Sequence, residues 1–266
     1  MKVDYSGYKD FLFERRGRVL TVTMNRPATL NAVTVDMHEE MSRLFYDIGM
    51  DDETYVCVLT GAGRAFSAGG DIEGMQLSRD NPAIFERSIH EAKKIIFGLL
   101  DCEKPMICRM NGDAVGLGAT LALFCDIVIA SDTARIGDPH VRVGLAAGDG
   151  GAIIWPQLIG YARAKQYLFS GDLIGAREAA QIGLINFAVP AAELDEKVNT
   201  WADKLANGAW KSIKFTKMTT NIGLRQLAHS MMDACISYET ITNLSDDHGE
   251  AIAAFREKRK PRFTGL

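Results

Sequence analysis

The chain has 266 residues, an apolar fraction of 47% and a formal net charge of −4. This is enough for one large domain or a domain with an appendage, and it excludes a disordered chain, a nucleic-acid-binding footprint and an acidic tail. Any anionic ligand must be held by local Lys and Arg rather than by a global field.

From the N-terminus, the polar MKVDYSGYKD stretch lacks the apolar core of a signal peptide. Residues 11–16 and 19–24 alternate as strands around Gly17, which predicts a hairpin. Thr34 is an expected N-cap, with Val33, Met37, Met41, Leu44, Phe45 and Ile48 at helical spacing behind it. Residues 55–59 read as a strand, residues 76–82 as a mobile polar loop and residues 84–100 as a helix. Pro105 marks entry to a strand beginning at Met106. Residues 117–124 form a small-residue helix with little polar surface, which implies burial, and short strands follow at 125–130 and 134–136. The order strand, strand, helix recurs at least twice, which predicts an α/β protein built as a coil of ββα units. From about Glu193 the chain reads as helical: 194–205, 224–244 and 246–256. The expected organisation is a ββα domain over 1–192 and a helical region over 193–266, whose apolar faces must pack on their own core or on a neighbouring subunit.

Five cysteines at irregular spacing, with no C-x-x-C, argue against a disulfide framework and structural zinc. They read as small buried hydrophobes in a reducing compartment, so a cytoplasmic protein without a metal site is expected. No run of about 18 apolar residues occurs, so no transmembrane helix is expected.

The chemistry concentrates in two turns. Ala65-Phe66-Ser67-Ala68-Gly69-Gly70-Asp71 and Asn111-Gly112-Asp113-Ala114-Val115-Gly116-Leu117-Gly118 each follow an apolar strand and lead into a helix. Either is by itself an ordinary tight turn. Together, the Gly70 and Leu117 N–H groups, left unpaired at such junctions, can hold a carbonyl oxygen as it gains negative charge. Ser67 has no base paired to it by sequence and reads as an ordinary hydroxyl. Gly61-Ala62-Gly63 lacks the third glycine of a dinucleotide fingerprint. His140 follows Pro139, a common setting for a surface histidine, and Asp149 has the composition of a helix N-cap. As a pair, a carboxylate on one ring nitrogen would fix the imidazole tautomer and free the other nitrogen for proton transfer. His38, His90, His229 and His248 read as structural or solvated. Glu239 and Asp247 read as helix-surface or subunit-contact residues, with Glu239 able to reach a site that its helix caps. Arg26, Arg64 and Lys258 are candidate phosphate partners against a background of simple solvation. Trp155, residues 76–89 and the C-terminal helices are expected to shape the pocket.

Asn25-Arg26-Pro27-Ala28-Thr29-Leu30-Asn31-Ala32, the two glycine turns, Cys125-Asp126-Ile127-Val128, Ser170-Gly171-Asp172 and the ending Ala253-Ala254-Phe255-Arg256-Glu257-Lys258-Arg259 occur in order over nearly the whole chain. In these the chain resembles the crotonase, or enoyl-CoA hydratase/isomerase, superfamily. The resemblance implies a spiral of ββα turns with a helical C-terminal part that builds trimers, often paired into hexamers. It implies a bent acyl-CoA, with coenzyme A as part of the substrate and no prosthetic group. The adenine would meet the Ala68 carbonyl and the phosphates Arg26 and Arg64. Ala28, Asp71, Ile72, Phe255 and Lys258 would border the CoA, and the thioester oxygen would sit between the Gly70 and Leu117 amides.

A typical hydratase of this superfamily has Glu at the positions of Thr120 and His140; this chain has neither. His140 followed nine positions later by Asp149 resembles instead the 6-oxocamphor hydrolase branch, where a His–Asp pair activates water to break a carbon–carbon bond. Three readings follow. The first is an enoyl-CoA hydratase or isomerase, with His140 as acid/base and Asp149 orienting it. The second is a β-diketone or β-oxoacyl hydrolase, and the third a non-catalytic acyl-CoA-binding protein.

Overall fold

The computed structural model describes residues 2–266. A hairpin opens the chain: β1 (Phe11–Arg16) pairs antiparallel with β2 (Val19–Met24) around Gly17, in the register Phe11 to Met24. Helix α1 (Val35–Met50) follows, capped by the Thr34 hydroxyl, which accepts from the Met37 N–H at 3.3 Å. Then come β3 (Val56–Gly61), α2 (Ile72–Asp80), α3 (Pro82–Asp101), β4 (Met106–Met110), β5 (Ala114–Val115) and α4 (Leu117–Leu123). Next are β6 (Ile127–Ser131), β7 (Arg135–Gly137), α5 (Gly151–Ser170), β8 (Ile174–Gly175), α6 (Ala176–Gln181) and β9 (Phe187–Val189). The chain ends in α7 (Leu194–Ala206), α8 (Trp210–Asn243) and α9 (Asp246–Arg256).

The main sheet runs β1-β2-β3-β4-β6-β9 and is parallel from β2 onward. A second sheet, β5-β7-β8, stands beside it. Each turn of the chain lays one strand in the main sheet, and the crossovers β4–β5–α4 and β6–β7 also feed the small sheet. This is the expected coil of ββα units. The principal core lies between the main sheet and α1, α3, α4 and α5, around Phe45, Phe66, Ile95, Ile96 and Trp155. A smaller core, with Val56, Ile107, Ile129 and Val198, lies under α7 on the sheet's other face.

Two expectations fail. Residues 76–82 are not a loop. Here α2 hands over to α3 at Asn81-Pro82, where Asn81 caps the second helix by accepting from the Ala83 N–H at 3.2 Å and Pro82 occupies its first position. The end of the expected loop is here a helix start. The long C-terminal helix begins at Trp210 rather than 224. Its first half is rich in threonine, a weak helix former. Thr219 and Thr220 donate back to the carbonyls of Phe215 and Thr216, and Lys217 is buried, bound to Asp126 at 2.8 Å and the Lys104 carbonyl at 2.9 Å. Tertiary contacts override local propensity there.

One buried side chain ties the front of the fold together. Asn31 donates through Nδ2 to the carbonyls of Ala62, Ala65 and Phe66 and accepts through Oδ1 from the Arg26 N–H. Truncation strands these buried groups. Asn31→Ala is expected to lower unfolding free energy by about 2–4 kcal/mol, read as a shifted urea midpoint at unchanged slope.

Candidate active site

The two glycine-rich turns are stitched to each other. The Phe66 and Ser67 N–H groups donate to the Asp113 carbonyl, and the Val115 N–H donates to the Ser67 carbonyl at 2.9 Å. The first turn is also tied to the entry of α1: the Val33 N–H donates to the Gly69 carbonyl and the Asp71 N–H to the Val33 carbonyl. At Gly69, where φ is +84°, a Cβ would lie 2.6 Å from the Val115 carbonyl oxygen. Glycine is required there twice over, by conformation and by space. Ser67 is fully buried and its hydroxyl donates to the Asn31 carbonyl at 2.8 Å, so it is structural, as expected.

What remains unpaired is informative. Among the described residues, neither the Gly70 nor the Leu117 N–H has a hydrogen-bond acceptor. Leu117 is the first residue of α4, whose N-terminal amides have no intrahelical partner. Both residues line one cavity of about 160 Å³, together with His140, Asp149 and Glu239.

His140 begins a short 3-10 turn, residues 140–143, that follows β7. Its Nδ1 is hydrogen-bonded to Asp138, whose carboxylate is buried. Its Nε2 lies 3.6 Å from Asp149 Oδ2. The expectation that Asp149 orients the ring is therefore corrected: Asp138, two residues upstream, holds Nδ1, and Asp149 faces the other nitrogen. Asp149 also does not cap α5 itself. Gly150 is the cap residue, while Asp149 Oδ1 accepts from the Thr120 hydroxyl at 3.1 Å and from the Gly151 N–H at 3.3 Å. Asp149 Oδ2 is buried without a hydrogen-bond partner. Atoms of Asp138, His140 and Asp149 lie within 4.8 Å of one another, a spacing a cation can bridge. Asp138 already occupies Nδ1, so only Nε2 and Asp149 would be open to one.

Glu239 reaches the site from α8, the second of the two expectations for it, rather than lying on the helix surface. Its carboxylate lies against the loop that carries Asp149: a Cβ on Gly148 would be 2.6 Å from Glu239 Oε2. Burial opposes charge on His140, but Asp138 and Asp149 outweigh it and hold the imidazole well above its ordinary pKa. Burial pushes the Asp149 carboxyl up, against the pull of His140. Burial also pushes Glu239 up, to about 8. The native protein therefore binds more protons at Glu239 than the unfolded chain does between its ordinary value of 4.5 and about 8. Stability at this group is full below 4.5 and falls as pH rises across that window. Denaturation at pH 5 and pH 8.5 is expected to show a smaller loss in Glu239→Gln than in wild type.

Other residues fall differently. Asp71 lines the cavity, but its carboxylate accepts from the Gly74 N–H at 3.0 Å and caps α2. Arg26, Ala28, Arg64, Ala68, Ile72, Phe255 and Lys258 lie outside the cavity lining. Arg26 pairs with Asp10 at 3.3 Å, whereas Arg64 and Lys258 are exposed and make no ion pair among the described residues. Trp155, expected to shape the pocket, is fully buried in the core. Asp247 accepts from the Thr264 and Gly265 N–H groups and ties down the C-terminal tail. His248 is buried and bonds the Val143 carbonyl at 2.6 Å, and His229 stacks on Phe97; both are structural as read. His90 is exposed. His38 departs from that reading, since it lines the cavity and pairs with Glu91.

Residues 14–266 match the family model described as enoyl-CoA hydratase/isomerase. The chain belongs to the enoyl-CoA hydratase/isomerase family. It is 36% identical over 255 residues to the short-chain-enoyl-CoA hydratase of Clostridium acetobutylicum, covering 94% of this chain and 95% of that one. It is 32% identical over 252 residues to the 1,2-epoxyphenylacetyl-CoA isomerase of Escherichia coli, covering 93% and 95%. The crystal structure of an enoyl-CoA hydratase/isomerase from Mycobacterium paratuberculosis superposes with a TM-score of 0.90 at 32% identity, over 94% of this chain and 99% of that one. The protein is thus an enzyme of the hydratase/isomerase family with the crotonase fold. Two carboxyl groups near His140, those of Asp138 and Glu239, stand outside the expected pair of His140 and Asp149. Asp138 carried a signal, a carboxylate two residues from the histidine. Glu239 is 99 residues from His140, and only the path of α8 brings it near.

Proposed function

We propose that this enzyme hydrates an enoyl-CoA thioester through an enolate, using two carboxyl groups other than the usual pair. The observation that carries the reading is the placement of two unpartnered backbone N–H groups, Gly70 and Leu117, on the same cavity as the His140–Asp149–Glu239 cluster. The thioester oxygen sits between the amides, where the start of α4 adds a favourable dipole. Asp149 and Glu239 then divide the acid–base work. The two carboxyls compete for one negative charge beside a cationic His140. Only Asp149 makes the 3.6 Å contact with Nε2, so the charge resides there and the proton on Glu239. Asp149 Oδ2 takes a proton from water as the oxygen attacks the β-carbon. Electrons move into the thioester to give the enolate. Glu239 then protonates the α-carbon; His140 gives its Nε2 proton to Glu239 and takes the one on Asp149 in its place, which restores the starting state. Thr120 holds Asp149 in place rather than serving as a base.

The test is conversion of crotonyl-CoA to 3-hydroxybutyryl-CoA, with a 3-enoyl-CoA offered in parallel for isomerisation. No turnover of either overturns the reading. Wild-type kcat is expected to fall above about pH 8 as Glu239 loses its proton, and Glu239→Gln should lack that limb. An alkaline limb that survives in the variant removes Glu239 from the mechanism.

One observation favours a second reading. The unpartnered Asp149 Oδ2 beside an imidazole suits a water attacking a ketone as well as an alkene. Cleavage of a cyclic β-diketone in the absence of CoA would replace the first reading with carbon–carbon hydrolysis.

The CoA portion is proposed to run over the outer face of the first turn, with its adenine at the Ala68 carbonyl beside Ala28 and Ile72. Arg64 and Lys258, both without an ion pair among the described residues, would meet its phosphates. Residues 193–266 are proposed as an oligomerisation region that builds a trimer or a hexamer. Support comes from large apolar side chains exposed along α8: Phe215, Ile222, Tyr238 and Ile241. A cytoplasmic location is proposed on the five free cysteines. No helix is long and apolar enough to cross a membrane among the described residues.

A further inference from the structure

The cavity has a second polar site, on the wall made by α1 and α3. His38 of α1 and Glu91 of α3 both line it, with His38 Nδ1 at 2.7 Å from Glu91 Oε2. Glu91 is buried, and its other oxygen is bound to Arg87 Nε at 3.2 Å. Arg87 also lies 3.5 Å from Glu39. The surrounding lining is largely apolar, with Val35, Ile84, Phe85, Ile89 and Ala92. An ion-bonded carboxylate and an imidazole taken from water cost more than well-packed apolar side chains of similar volume. The other ring nitrogen, Nε2, has no partner among the described residues and is not sealed off from solvent-sized space. The Glu91 carboxylate can only accept, so in the neutral imidazole the proton sits on Nδ1 and Nε2 presents a lone pair. The position is fixed relative to the thioester site, since Val33 is bridged to Gly70 and His38 lies one helical turn beyond the start of α1.

We propose that His38 Nε2 accepts a hydrogen bond from a hydroxyl on the distal part of the acyl chain, making this enzyme selective for hydroxylated acyl-CoA thioesters. An anionic chain end is disfavoured. No Lys or Arg lines the cavity, whereas Glu91, Asp149 and Glu239 do. Ser78, also on the lining and without a hydrogen-bond partner among the described residues, adds a second hydroxyl-bonding group to the same cavity. This inference rests on the reading of the cavity as the acyl site.

Three thioesters of one chain length separate the possibilities: trans-2-hexenoyl-CoA, its 6-hydroxy derivative and trans-2-hexenedioyl-CoA. The wild type is expected to favour the hydroxylated substrate over the plain one by about tenfold or more in kcat/KM, and to turn over the dioate least. His38→Leu should bring the hydroxyl-to-plain ratio to near one, and Glu91→Gln should reduce it. Equal kcat/KM for all three in the wild type, or a ratio that survives in His38→Leu, overturns the proposal. The saturated pair hexanoyl-CoA and 6-hydroxyhexanoyl-CoA reads the subsite by calorimetry with no chemistry required. Tighter binding of the hydroxylated ligand without turnover of any enoyl-CoA would retain this subsite and reject the hydratase reading. Equal affinities would reject the subsite and leave the hydratase reading standing. A His38→Leu protein that fails to fold leaves the wild-type ratio and the calorimetric pair to decide.

Discussion

Replacing His140 by alanine is expected to lower kcat on an enoyl-CoA by about 10²–10⁴-fold, the range a positioned acid–base group contributes. Its loss acts in two ways. In the proposed mechanism it removes the proton path through Nε2, and it removes the cation that keeps the charge on Asp149 rather than on Glu239. It also leaves Asp138, nearly all of it buried, without its partner. Part of the effect will therefore appear as lost stability. His140→Gln separates the two contributions, because its amide can still donate to Asp138 but carries no charge. Steady-state kinetics beside a thermal melt would check both variants. A kcat within threefold of wild type in a folded His140→Ala protein would rule out any role for the imidazole in proton transfer.

Leu117→Pro tests the other half of the site. A main-chain amide cannot be deleted by ordinary substitution, but proline removes one. Position 117 is the first residue of α4, where proline's fixed φ is tolerated and its missing N–H breaks no intrahelical bond. Loss of a single donor to a developing oxyanion costs about 10²–10³ in kcat. The shorter side chain also gives up some packing, since Leu117 is buried. Leu117→Ala carries that packing loss with its amide intact and is the control. The expected order of kcat is wild type, then Leu117→Ala, with Leu117→Pro far below. Equal kcat in the two variants would mean that the Leu117 N–H meets no substrate oxygen.

The frame of the molecule was legible wherever local chemistry and tertiary contacts agree. The hairpin at Gly17, the Thr34 cap, the small-residue helix from Leu117 and the two glycine turns all follow from short-range patterns. Patterning misleads where a polar stretch fits a loop and a helix equally well, as at residues 76–82, and where burial outweighs propensity, as in the threonine-rich start of α8. The site was half readable. Gly70, Leu117, His140 and Asp149 lie in marked stretches, and the structure gathers all four on one cavity. The spacing points to Asp149 as the partner of His140 and leaves out Asp138, because a pattern of residues does not say which carboxylate meets which ring nitrogen. Glu239, His38 and Glu91 lie on amphipathic helices among many similar charged residues. Helical periodicity tells which face is apolar, but not that a polar residue near its border opens into a cavity.

Helix α8 presents Glu239 inward while its neighbours Tyr238 and Ile241 stand outward in solvent. Adjacent residues on one rigid rod cannot move independently. A sister subunit of the proposed oligomer, pressing on the outward side, would also set the reach of Glu239, the proposed proton donor. The rate of the chemistry would then track how completely the particle is assembled, and dilution would act as an inhibitor without touching the substrate.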